Sequence, residues 1–376
     1  MKKHQTSAAI ISVLTLAACA VASATFLEHR KVEPIVSGPG VSEIAKLSKW
    51  YPGLAGTPAD TDVYILRGKA PGASMLVLGG THPNEPSGFL SAVLLIENAV
   101  PVSGTLYVIP RANNSGFSHN DPQEGAPTGY HFTLPDGQAR FFRYGSRATN
   151  PVDQWPDPDV YIHAASGQAL SGNETRNLNR GYPGRTDGTL TEKACYGITQ
   201  LIRAEKISIS IDLHEASPEY PVINAIVAHE RAMPVASQVV LGLEFSDIKI
   251  GLEPSPKNLR GLTHRELGDA TDTLAVLMET ANASQGRLRG RTDEALVLTG
   301  IDPYYVKAQK LGRLYVPYDE KGHPIEERVG RHLTAIVEFA LAMSSEYPDS
   351  PLEFQGVPEY QALAERGVGA FLRTAP

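Results

Sequence analysis

The chain has 376 residues, 42% of them hydrophobic and 20% charged, with a formal net charge of −7 at pH 7. This is the composition of an ordinary globular protein, with room for one large or two medium domains. The acidic balance and the scarcity of like-charge runs argue against nucleic acid as a partner.

The first residues stand apart. Lys2, Lys3 and His4 give a basic start, and residues 8–27 then carry no charge and are apolar or small. Such a segment is an export signal or an anchor rather than part of the fold. Three outcomes are open. Leu16-Ala17-Ala18-Cys19 resembles a bacterial lipobox, which would make Cys19 a lipidated first residue. Ala22-Ser23-Ala24 suits signal cleavage before Thr25. Left uncut, the run is long enough to remain as a membrane anchor with a cytoplasmic N-terminus. Each outcome places the globular part outside the cytoplasm, in a bacterial periplasm, and confines membrane contact to residues 1–27. Cys19 and Cys195 are the only cysteines, so paired-cysteine zinc motifs are absent. Cys195 reads as a helix packing residue.

Residues 28–61 are rich in Pro, Gly and Ser and read as a linker with one short helix at 41–47. The alternating DVYILR of 62–67 and the apolar MLVL of 75–78 read as a hairpin, with turn residues at 68–72 between them. Residues 89–100 read as a helix and 105–109 as a strand. Residues 112–175 show little periodicity, and a loop of that length reads as an active-site lid or a functional insertion. A helix at 190–206 precedes a β-branched strand at 207–213. Residues 221–228 are a further strand candidate, 230–243 a helix, 274–278 a buried strand and 329–344 a helix. Strands alternating with helices imply an α/β fold, a mixed and largely parallel central sheet flanked by helices. A catalytic domain is expected over 62–300, with a helical part at 301–376 packed on it.

Residues that can carry chemistry stand at the ends of these strands. Gly79 and Gly80 end one strand, and the loop behind them carries His82 and Glu85, an imidazole and a carboxylate able to turn toward one metal ion. His214 ends a second strand and Glu279 a third. Open α/β sheets bind ligands beyond the carboxyl ends of their strands, so these groups are expected to meet on one edge. Two imidazoles and one carboxylate are the donor set of a catalytic zinc, with a position left for water. Glu279 nearby could take and pass on a proton, and Asp212 could support His214 from behind. His214-Glu215 does not open a helical H-E-x-x-H motif, because residue 218 is Pro. His119, His131, His163 and His229 lie in no comparable context. Within residues 176–184, Asn179 beside Arg180 suits a carboxylate, which Arg grips with a bidentate fork.

Taken together, GGTHPNEPSG (79–88), NLNRGYPG (177–184), IDLH (211–214) and META (278–281) resemble the succinylglutamate desuccinylase/aspartoacylase family of the zinc carboxypeptidase superfamily. The resemblance spans about residues 60–285, with the motifs in the family's order. It implies one zinc ion per chain on His82, Glu85 and His214, a substrate carboxylate on Asn179 and Arg180, and Glu279 as catalytic base. Arg111 is similar in position to an arginine that polarises the scissile carbonyl in carboxypeptidases, with Arg143 and Arg147 as competitors. Arg265 is a candidate second anion contact.

The chain departs from the family in three respects. The first motif lies farther from the Asn–Arg pair, the leader implies export where members acting on acylated amino acids are typically cytoplasmic, and the C-terminal part reads as helical rather than as a β domain. The expected activity is hydrolysis of an amide bond in a carboxylate-bearing small molecule or peptide, most like an N-acyl amino acid deacylase. A metallocarboxypeptidase acting on peptides or cell-wall fragments is the near alternative, and an exported binding protein without catalysis is the alternative of another class. A serine esterase is disfavoured by the lack of a G-x-S-x-G elbow.

Overall fold

The computed structural model describes residues 2–121 and 125–375. Helix α1 (Lys2–His29) is exposed from His4 to Glu28, and His4–His29 is long and apolar enough to cross a membrane, a measure that a signal sequence also meets. The chain docks on the body directly after it. His29 and Glu33 are buried, and His29 Nε2 lies 3.1 Å from Tyr144 O.

Residues 41–46 form an edge strand, β1 (Val41–Lys46), and not the expected helix. Its exposure alternates residue by residue, as a strand with one face on the body must. β2 (Asp62–Arg67) and β3 (Ala70–Leu78) do not form the expected hairpin either. From β3 the chain passes through α2 (Pro86–Asn98) to β4 (Val100–Ile109), which inserts between them, antiparallel to β2 and parallel to β3. The physical reason lies in β3, where Met75, Leu76, Val77 and Leu78 are all buried. A strand apolar on both faces belongs inside a sheet covered on both sides, not in a two-stranded ribbon.

Residues 112–175 are less irregular than their sequence. They hold two hairpins, β5 (Gly129–Thr133) with β6 (Ala139–Arg143) and β7 (Val160–Ile162) with β8 (Ala169–Ser171). Phe142 of the first packs 5.8 Å from Phe89 of α2, centroid to centroid, so this insertion contributes to the core. α3 (Leu190–Ala204) then starts on a capping box formed by Thr189 and Glu192. It is followed by β9 (Ile209–Ala216), β10 (Ala225–Ala228), α4 (Met233–Phe245), β11 (Gly251–Pro254), α5 (Thr263–Ala270) and β12 (Leu274–Ala281). The C-terminal stretch carries α6 (Glu294–Thr299), α7 (Pro303–Lys310), α8 (Ile325–Glu346), β13 (Glu353–Gln355) and α9 (Tyr360–Arg366). β13 pairs with β4 and ties this mainly helical part into the same sheet.

The sheet order is β1-β2-β4-β3-β9-β12-β10-β11. Its four central strands, β4, β3, β9 and β12, run parallel, and antiparallel pairs flank them. Side chains alternate between two cores. Met75, Val77, Ile209, Ile211, Val276 and Met278 pack with α2, α4 and α8, whereas Leu76, Leu78 and Ala275 pack with α3. The result is a three-layer α/β sandwich. β4 lies on one side of β3 and β9 on the other, so the winding reverses between β3 and β9. A crevice opens beyond the carboxyl ends at such a reversal.

Candidate metal centre and active site

At that crevice the chain leaves β3 through Gly80, whose φ is +63°. A Cβ there would stand 2.7 Å from the Phe117 ring and 2.8 Å from Pro110 O, so only glycine makes the turn. The turn lifts His82 and Glu85 over the end of β9, and Glu85 N–H donates to His82 O at 2.9 Å. His82, Glu85 and His214 are each about 2% or less exposed, and one donor atom from each lies within 4.8 Å of the others. His82 Nδ1 is 2.8 Å from Glu85 Oε1, His214 Nδ1 is 2.9 Å from Glu85 Oε2, and the two Nδ1 atoms are 3.1 Å apart.

The outward nitrogens of both rings are fixed from behind. Asn177 Nδ2 donates to Glu174 Oε2 at 2.6 Å, which turns Asn177 Oδ1 toward His82 Nε2 at 2.9 Å. His82 Nε2 must therefore donate, and its Nδ1 lone pair faces inward. His214 Nε2 likewise lies 2.8 Å from Asp212 Oδ2, while Thr81 and Thr263 hydroxyls donate to the same carboxylate at 2.7 and 2.8 Å. Asp212 and His214, two apart on β9, share a face, as strand alternation requires.

Donor atoms of two imidazoles and a carboxylate converge on one point, an arrangement suited to a cation. The electrostatics agree. Burial opposes charge on His214, yet Asp212 and Glu85 outweigh it and raise its pKa well above the usual value. Burial, with Arg147, lowers His82 to about 4. Burial disfavours the Glu85 carboxylate too, but the two imidazoles overcome it and hold Glu85 ionised. The residues present fit a zinc ion. Replacing Asp212 by Asn is expected to weaken metal binding by about 10–100-fold while the fold persists. Competition with a chromogenic chelator measures this directly.

β12 runs parallel to β9 with Glu279 paired to His214, and alternation puts both on the cavity face. Glu279 Oε2 is shut off from solvent and has no hydrogen-bond partner among the described residues. Burial pushes this carboxyl up to about 8. The cavity has a volume of about 740 Å³ and is lined by His82, Glu85, His214 and Glu279, with Arg147, Asn179 and Arg180 beside them. Asn179 Oδ1 accepts from Thr263 N–H at 2.9 Å, which pins the Asn–Arg segment to the start of α5. A larger depression of about 970 Å³, lined by Tyr318, His323, Glu327 and Tyr360, lies elsewhere and gathers no set of three metal-type donors among the described residues.

Three of the expected arginines are not at the cavity. Arg111 is buried at the end of β4, with Nε 3.3 Å from Glu33 Oε1 and Nη2 donating to Glu33 O at 2.6 Å. Arg143 takes the other oxygen of Glu33 at 2.5 Å. Arg265 is buried against Glu230 and Asp269 on the far side of α5. Each is pulled from the cavity by a carboxylate that is distant in sequence or on another face. Arg147, the remaining candidate for the carbonyl, does reach it, with Nη1 3.7 Å from Glu85 Oε1. Sequence reading assigned no task to Asn177, Thr81 or Thr263. Thr81 and Asn177 lie inside two of the motifs, which was the available signal for them; Thr263 had none.

No protein-family model and no curated protein matches the chain. Solved structures do. A succinylglutamate desuccinylase from Silicibacter sp. TM1040 is 15% identical, with a TM-score of 0.38, over 60% of this chain and 55% of its own. A metallo-carboxypeptidase from Burkholderia cenocepacia is 12% identical, with a TM-score of 0.44, over 86% of this chain and 69% of its own. Product-bound Csd4, a cell shape determinant protein from Helicobacter pylori, is 14% identical, with a TM-score of 0.44, over 82% and 60%. The chain spans little more than half the length of the desuccinylase, and likeness at this level adds no weight to the reading of the site.

Proposed function

We propose that the chain is an exported zinc hydrolase that cleaves an amide bond in a carboxylate-bearing substrate, most like a deacylase of N-acyl amino acids of the desuccinylase/aspartoacylase type. The observation that carries this is the convergence of three inward donor atoms beside a carboxylate whose Oε2 has no hydrogen-bond partner among the described residues. Zinc on His82, Glu85 and His214 supplies Lewis-acid polarisation of a carbonyl and a water of lowered pKa. Arg180, with Asn179, receives the substrate carboxylate through a charge-assisted fork. Glu279 takes the proton of the attacking water and delivers it to the leaving nitrogen as the C–N bond breaks. Arg147, on the cavity rim, meets the negative charge that builds on the carbonyl oxygen. Asp212 and Asn177 keep the imidazoles aimed throughout. The leader is the reason to place this chemistry outside the cytoplasm.

A metallocarboxypeptidase acting on peptides uses the same residues with the carboxylate on the other side of the scissile bond. The extension of the cavity to Glu219, Gln285 and Arg287 favours it by giving a peptide room. Turnover of N-acyl amino acids beside peptides, with products identified by mass spectrometry, separates the two. Absence of turnover by the zinc-loaded chain on both panels would favour the binding protein. Arg180→Met is expected to raise KM by about tenfold or more with a smaller change in kcat, since it removes a contact made in ground and transition states alike. An unchanged KM would remove Arg180 from carboxylate binding.

A further inference from the structure

His264 has no part in the chemistry above, and its placement is unusual. It is 4% exposed, yet it lines the cavity together with Arg180 and Glu279. Its Nδ1 lies 2.7 Å from Ser255 Oγ. Nε2 has no hydrogen-bond partner among the described residues, and with the Nδ1 edge occupied it is the ring edge left for the cavity. The preceding residue fixes the position. Thr263 donates from its N–H to Asn179 Oδ1 and from its hydroxyl to Asp212 Oδ2, so the ring is held beside the Asn179–Arg180 pair and not on a mobile loop. The wall of the same cavity also includes the apolar Val227, Leu262 and Leu277. One unpartnered ring nitrogen is therefore left to the cavity next to the group that receives a carboxylate.

We propose that His264 is a specificity-determining residue of this site, and that it reads an uncharged amide on the side chain of the substrate residue whose carboxylate rests on Arg180. This rests on the hydrolase reading only for placing that carboxylate. An amide carries both a donor and an acceptor, so it complements Nε2 whichever ring nitrogen holds the proton. Val227, Leu262 and Leu277 offer no counter-charge, and a charged side chain among them would be desolvated without one. Burial, with His214 adding to it, holds the His264 pKa at about 3, which keeps the ring itself neutral. An apolar side chain of the same shape would leave Nε2 buried and unpaired, which costs binding.

The test uses the full chain carrying Glu279→Gln, loaded with zinc, so that binding is read without turnover. Calorimetric titration with N-acetyl-asparagine, N-acetyl-leucine and N-acetyl-aspartate compares near-isosteric side chains and needs no change at His264. N-acetyl-asparagine is expected to bind about tenfold or more tighter than N-acetyl-leucine. Adding His264→Leu is expected to abolish or invert that preference, and His264→Gln to keep part of it. Equal or tighter binding of N-acetyl-leucine before any change at His264 overturns the proposal, as does a preference that survives His264→Leu, or failure of all three to bind the zinc-loaded chain. Turnover by the unsubstituted chain is a separate readout. An amide preference that depends on His264, without turnover, would sink the hydrolase reading and leave this one standing.

Discussion

Replacing Glu279 by Gln is expected to lower kcat by about 10²–10⁴-fold while metal content and fold persist. Gln fits the same space but cannot take a proton. The carboxylate is suited to the task because burial among the β9 and β12 strand ends raises its pKa to about 8. A base must be ionised to act, so activity should rise with pH through the working pKa of Glu279. A divalent cation on His82, Glu85 and His214 favours the ionised form and draws that pKa down, which places the ascending limb below pH 8 in the zinc-loaded protein. The limb assigned to Glu279 should vanish in Glu279→Gln, as kcat/KM against pH will reveal. An unchanged kcat would remove Glu279 from proton transfer.

The second large effect falls on stability and lies far from the chemistry. Glu33 is 5% exposed and holds both Arg111 and Arg143, themselves 4% and 2% exposed. Glu33→Ala leaves two buried guanidinium groups without their carboxylate, at a cost of about 3–5 kcal/mol. Denaturant unfolding should show a lower midpoint with an unchanged slope. The same loss is expected when the chain is shortened to begin at residue 34, and not when it begins at residue 28. A midpoint unmoved by Glu33→Ala would mean that water, not Glu33, satisfies the two arginines.

The donor set was legible because it rests on local signals. Two glycines after an apolar run put His82 and Glu85 beyond one strand end, the β-branched and apolar runs that stop at His214 and Glu279 put those two at others, and the fold rule for parallel strands brings such ends together. What was not legible depends on partners remote in sequence. Residues 41–47, with Ala, Glu and Lys, suit a helix by composition, but pairing of Ile44 with Tyr64 of β2 makes them a strand. The hairpin failed because β4, from beyond α2, inserts between β2 and β3. Choosing among Arg111, Arg143 and Arg147 required knowing that Glu33 takes the first two. His264 carried no signal at all, since only the start of α5 decides which of Thr263, His264 and Arg265 faces the cavity.

The metal is the claim on which the rest depends, and its content in the purified full chain tests it most directly. Plasma mass spectrometry should find about one zinc per chain, lost in both His82→Ala and His214→Ala, because the structure brings these two rings and Glu85 to a single point. A folded protein, purified without chelator, that holds no stoichiometric metal would contradict the hydrolase reading and favour a binding protein built on the same sheet.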